Sequence, residues 1–146
     1  MIDKSARVAC FFGSSTTVTF RLNTVTRSGE NNKEGAAVCA GGQTLESSIF
    51  YGNTHDNGAN RDHQFYGCTL MGDVTEFEAT GTSGIANAAF EFVNANMGDF
   101  HLKAGSANNR ACCVDRAPTY PTIVRDVDGD TRPLGQGYDI GGDEVE

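Results

Sequence analysis

One phrase recurs along this chain and limits its folds more than any other feature. It is a short β-branched or aromatic run closed by glycine and a small polar residue. It reads Leu22-Asn23-Thr24-Val25-Thr26, then Glu46-Ser47-Ser48-Ile49-Phe50 closed by Gly52-Asn53, then Tyr66-Gly67-Cys68-Thr69-Leu70 closed by Gly72-Asp73. Val25 to Ile49 is an offset of 24 residues and Ile49 to Leu70 one of 21. A period in the low twenties is the length of one coil in a parallel β-solenoid, where each coil lays its strands on the one below. Gly and Asn suit the corners because they tolerate positive φ. An antiparallel sandwich of similarly spaced strands fits the same spacing. Ser15 to Phe20 and Ser48 to Tyr51 read as strands, and Ala86 to Val93 is the best helical candidate.

With 146 residues the chain fits a single domain, 1–146, that hides roughly 70% of its unfolded surface. Hydrophobic residues make up 38%, yet no apolar run approaches the length of a membrane span. Eleven Lys and Arg against nineteen Asp and Glu give a net charge of -8. That sign opposes phosphate neutralisation and excludes DNA and RNA as main partners. It also opposes unassisted binding of anionic sugars. Met1 to Ser5 carries no apolar signal-peptide core, which implies either a cytoplasmic protein or an exporting segment outside this sequence. The five cysteines, Cys10, Cys39, Cys68, Cys112 and Cys113, match no zinc spacing, and the first three stand 29 apart. They are expected as small buried apolar residues, with adjacent Cys112 and Cys113 too constrained for a structural staple.

The ending is more specific. Asp126-Val127-Asp128-Gly129-Asp130-Thr131-Arg132-Pro133 is followed by Tyr138-Asp139-Ile140-Gly141-Gly142-Asp143-Glu144. Before it come Ala89-Phe90-Glu91-Phe92-Val93-Asn94, Gly98-Asp99-Phe100-His101-Leu102 and Gly105-Ser106-Ala107. Together these resemble the last coils and closing segment of right-handed parallel β-helix proteins of the pectate-lyase-like superfamily, the choice-of-anchor-type bacterial surface proteins in particular. The resemblance spans residues 22–144. Gly142 stands where alanine is usual, and Ala89 and Ala107 depart from the proline-containing pattern.

The resemblance implies an all-β fold: a short right-handed parallel β-helix of about four coils with a C-terminal cap. The coils would be 5–28, 35–57, 63–84 and 86–104, and the cap 105–146. Four coils are few for such proteins, and nothing in Met1 to Lys4 covers the first. The expectation is therefore either a piece of a longer chain or a homodimer pairing its open coil ends.

Three groups of residues are candidates for a site. Asp126, Asp128 and Asp130 lie two apart around a glycine, as carboxylates that wrap calcium do. Thr131 and Gly137, however, fill the positions where an EF-hand loop needs Gly and Glu. The same aspartates can instead be satisfied by turn amides and Arg132. Asn53 to His63 is the most polar stretch, and Tyr51, His55, Asp56, Arg61, His63 and Tyr66 could grip and stack a sugar. In the cap, Arg132, Asp139 and Glu144 read as structural, with a buried Arg132–Asp139 pair fixing the lid.

Family enzymes need carboxylates stacked on one face. Asp56, Asp62, His63, Asp73, Glu76, Glu78, Asp99 and His101 do not repeat at the coil period, so no catalytic residue is assigned. Alternation places Phe100 and Leu102 inward and Asp99 and His101 outward. The expected function is a non-catalytic module of a bacterial extracellular or surface protein, a scaffold or adhesive touching polysaccharide, with no cofactor unless calcium. The alternative is a polysaccharide lyase or glycoside hydrolase, or part of one.

Overall fold

A computed structural model describes residues 2–3, 10–14, 18–27, 36–53, 65–75, 89 and 91–146. Strands β1 (Ile2–Asp3), β4 (Thr24–Thr26), β7 (Ile49–Tyr51) and β10 (Val74–Thr75) form one parallel sheet in that order. A second parallel sheet joins β2 (Cys10–Phe12), β5 (Ala37–Cys39) and β8 (Phe65–Tyr66). A third joins β3 (Phe20–Arg21), β6 (Thr44–Glu46) and β9 (Thr69–Met71). Strands β11 (Phe92–Asn94) and β12 (Asp99–Leu102) then pair antiparallel, and helix α1 runs over Ala107–Cys112. No helix among the described residues is long and apolar enough to cross a membrane.

Pairing, rather than composition, sets the register. Thr24 faces Ile49 and Ile49 faces Val74, while Phe20 faces Leu45 and Leu45 faces Leu70. Leu70, expected over Ile49, sits instead on Leu45. The reason is side-chain alternation. Val25, Leu45, Phe50 and Leu70 fill one apolar cluster, whereas Ile49 and Val74 fill a second with Leu102, Cys112, Cys113 and Ile140. A slip of one residue would send each side chain to the opposite cluster and mismatch the packing of both.

The corners repeat with the strands. Leu22, Ser47 and Gly72 all have positive φ, at 51°, 49° and 67°. Only the last is glycine, so Leu22 and Ser47 each carry backbone strain of order 1–2 kcal/mol that the packed surroundings must offset. Beside these corners stands a polar column, Asn23, Ser48 and Asp73. Ser48 Oγ accepts the Asn23 amide at 3.2 Å, and Asp73 Oδ1 accepts the Ser48 amide at 2.8 Å. The Ser48 and Asp73 side chains thus each satisfy the backbone of the preceding layer, while Asn23 donates to the Arg21 carbonyl of its own.

The expectation of an all-β, four-coil right-handed parallel β-helix with a C-terminal cap is overturned. The described residues form a small mixed α/β domain of short parallel and antiparallel sheets with one helix, and they close no solenoid. The span 86–104, expected as a fourth parallel coil, contains the β11–β12 hairpin. Its chain reverses through a 3₁₀ turn at Ala95–Met97 and a left-handed Gly98 at φ 85°. A strand that turns back on itself within three residues cannot also lie parallel on the layer below. Of the helical candidate 86–93, Phe92 and Val93 lie in β11, and helix appears among the described residues within the expected β cap. There Ser106 caps α1 by accepting the Asn109 amide, and fully buried Asn109 exchanges hydrogen bonds with the Glu91 backbone.

The cysteines differ from expectation as well. Cys39 pairs with Cys68, and the adjacent Cys112 and Cys113 pair with each other. The first bond links β5 to the residue that follows the turn after β8. There Gly67 sits at φ 67°, and a Cβ would stand 2.4 Å from the Cys39 carbonyl oxygen. The second packs into the Ile49–Val74 cluster.

Candidate functional site

The last thirty or so residues fold over the Ile49–Val74 face of the four-stranded parallel sheet, held mainly by main-chain donors. Gly141 N donates to the Ser47 carbonyl at 3.0 Å, Gly142 N to Thr24 Oγ1 at 3.0 Å, and Ile140 N to the Cys113 carbonyl at 2.9 Å. Tyr120 adds a buried hydroxyl contact of 2.9 Å with Ser47 Oγ, and the Arg21 guanidinium lies over its ring. Arg21 is in turn held by the Glu46 carboxylate.

Arg132 lies at the centre of this lid. Its Nη1 is 3.2 Å from Glu144 Oε1, with both side chains essentially out of water. The expected Arg132–Asp139 ion pair is replaced by this one. Arg132 Nη1 donates instead to the Asp139 backbone carbonyl, and Nη2 donates to the Gly141 carbonyl at 2.9 Å. The Asp139 carboxylate accepts the amides of Asp115 at 2.7 Å and Val145 at 2.9 Å. Glu144 accepts the amides of Asp139 and Leu134. Arg132, Asp139 and Glu144 therefore meet in one buried network, and Arg132 Nε has no hydrogen-bond partner among the described residues.

The acidic loop does not converge as a calcium cradle. Asp126 Oδ1 accepts the amides of Asp128 and Asp130, and Oδ2 accepts the Glu144 amide, so this side chain holds its own turn and the chain terminus. Asp130 is exposed. Asp128 reaches away to His101, with Oδ2 3.0 Å from Nε2.

That contact exposes a grouping that spacing along the chain does not reveal. His101, Asp128 and Asp143 each offer a ligand atom, and these atoms lie within 4.8 Å of one another. Alternation along β12 buries Phe100 and Leu102 and turns Asp99 and His101 toward the lid. Asp99 Oδ1 is 2.6 Å from His101 Nδ1. The Asp99 hydrogen bond raises the His101 pKa, and the same bond lowers that of Asp99. Asp143 is buried and accepts a hydrogen bond from the Leu102 amide at 2.7 Å; burial pushes its carboxyl up to about 6. Burial likewise pushes Asp139 up to about 6 and Asp73 up to about 7.

The sugar-gripping candidates are placed differently. Tyr51 is half-buried, its ring edge-on to Phe92 at 5.0 Å and tilted against Phe100 at 6.4 Å. Tyr66 belongs to β8. His55, Asp56, Arg61 and His63 lie outside the described residues, as do Asp62, Glu76 and Glu78.

Comparison with known proteins finds nothing similar: no family model, no curated protein and no solved structure matches the chain.

Proposed function

We propose that this chain is a non-catalytic module of a bacterial extracellular or surface protein, a scaffold or adhesive that touches polysaccharide. The observation that carries this reading is how the carboxylates are used. Asp73, Asp126, Asp139, Asp143 and Glu144 all accept main-chain N–H groups that fasten one segment to another. An acid or base that must pick up and release protons at substrate is poorly served by such bonds, whereas a rigid lid is well served. Two disulfides support an oxidising location outside the cytoplasm. The resemblance of residues 126–144 to the endings of surface proteins supports the same placement.

The test uses the full chain on insoluble neutral polysaccharides and on soluble polyuronates, with and without calcium. Retention on at least one neutral polysaccharide, with no new reducing or unsaturated chain ends, is the expected result. Release of such ends from any glycan, or retention on none, overturns the reading.

A further inference from the structure

The geometry points to a binding site for one divalent transition-metal ion of the zinc class, formed by His101 Nε2, Asp128 and Asp143 where β12 meets the C-terminal lid. The three ligands come from β12, from the acidic loop and from the chain terminus. An ion there would cross-link three segments that neither of the two disulfides joins.

The donor set selects the metal. One imidazole nitrogen with two carboxylate oxygens suits zinc and its neighbours, whereas calcium and magnesium take oxygen ligands throughout. Distances fit with little movement. A tetrahedral ion with bonds of about 2.0–2.1 Å holds its ligand atoms roughly 3.3 Å apart. His101 Nε2 and Asp128 Oδ2 already stand 3.0 Å apart, and all three ligand atoms fall within 4.8 Å. Three protein ligands leave a fourth position open to water or to a group on a partner.

Two further observations turn this grouping into a metal site. Asp143 is only 4% exposed, yet its carboxylate takes one hydrogen bond among the described residues, from Leu102, to Oδ2. Burial leaves this carboxylate charge poorly solvated beside the imidazole nitrogen, and a bound cation would offset that cost. Asp99 then plays the outer-shell part. Its contact with Nδ1 orients the ring and leaves Nε2 to the metal, the arrangement that ligating histidines usually have. Asp99 is accordingly a positioning residue and not a ligand.

Zinc chloride alone, added to the full chain stripped with chelator, is the probe. Calorimetry should give one zinc per chain, and Tm should rise with free zinc as mass action requires, while calcium at the same concentration leaves Tm unchanged. Asp128→Asn, at a half-exposed position outside the packed core, should melt normally in chelator and lose the zinc-dependent rise. Asp99→Asn should weaken zinc about 10–100-fold without abolishing it. Equal zinc binding in wild type, Asp128→Asn and His101→Gln overturns the site. So does a calcium response as large as that of zinc.

Discussion

Asp73 Oδ1 accepts the amide of Ser48 at 2.8 Å, and Asp73 Oδ2 accepts that of Met71 at 2.9 Å, so one carboxylate closes the end of the Asn23–Ser48–Asp73 column. The residue is fully buried and no cation pairs with it among the described residues. Burial therefore raises its pKa to about 7, against 3.8 for an unperturbed aspartate. The folded state holds this proton more tightly than the unfolded state, so stability falls as pH rises from about 4 to about 7 and levels off above. Asp73→Asn has no such proton to lose. Relative to this variant, the wild type should lose on the order of 2–4 kcal/mol across that window, read by urea denaturation at stepped pH. A constant difference between the two proteins from pH 4 to 8 would contradict the assignment.

The Arg132–Glu144 pair makes a second prediction. Glu144→Gln keeps acceptor capacity for the Leu134 or Asp139 amide but leaves a guanidinium buried without its counter-charge. The expected cost is about 3–5 kcal/mol of unfolding free energy. A loss below about 1 kcal/mol would mean that water reaches the pair, as at a surface salt bridge.

Gly141 docks the lid. At φ 106° a Cβ would stand 2.7 Å from Ile49 Cδ1 and 3.0 Å from Thr24 Oγ1. Gly141→Ala should cost about 1–3 kcal/mol and speed proteolysis within the last twenty or so residues. Ile49→Val removes the nearest clashing atom. In the double variant the two costs should add up to less than their sum, and strict additivity would show that the lid does not press on Ile49.

The Cys39–Cys68 bond closes a loop of 29 residues between neighbouring layers. Replacing both cysteines by alanine should lower stability by about 2–4 kcal/mol at unchanged pH. Because four of the five cysteines are paired, the oxidised chain under denaturing conditions should titrate with one equivalent of thiol reagent. A count of five would undo both bonds and the extracellular placement with them.

Some of this architecture is readable from residues alone. The Ser48–Tyr51 run appears as β7, and the Phe100/Leu102 alternation along β12 holds. The inward turn of the 132–144 ending is readable as well, because Arg132 and the carboxylates around it have few ways to be buried except together. The corners at Leu22 and Ser47 were not readable, since neither residue advertises a left-handed backbone. Nor was Glu144 as the partner of Arg132, because two carboxylates at similar range in sequence compete and only packing selects one.

What the sequence by itself determined is local: short strands, their rough period, the side-chain faces of β12, and a buried polar ending. Tertiary structure alone decided the strand register, the reversal at Gly98 that turns an expected parallel coil into a hairpin, the helix at Ala107–Cys112, and the meeting of His101 with Asp128 and Asp143. The reason is the range of the interactions involved. Propensity and alternation act over a few residues and are written in each segment. Register, chain reversal and ligand grouping depend on which apolar faces can be buried at once, and that is settled only when distant segments pack.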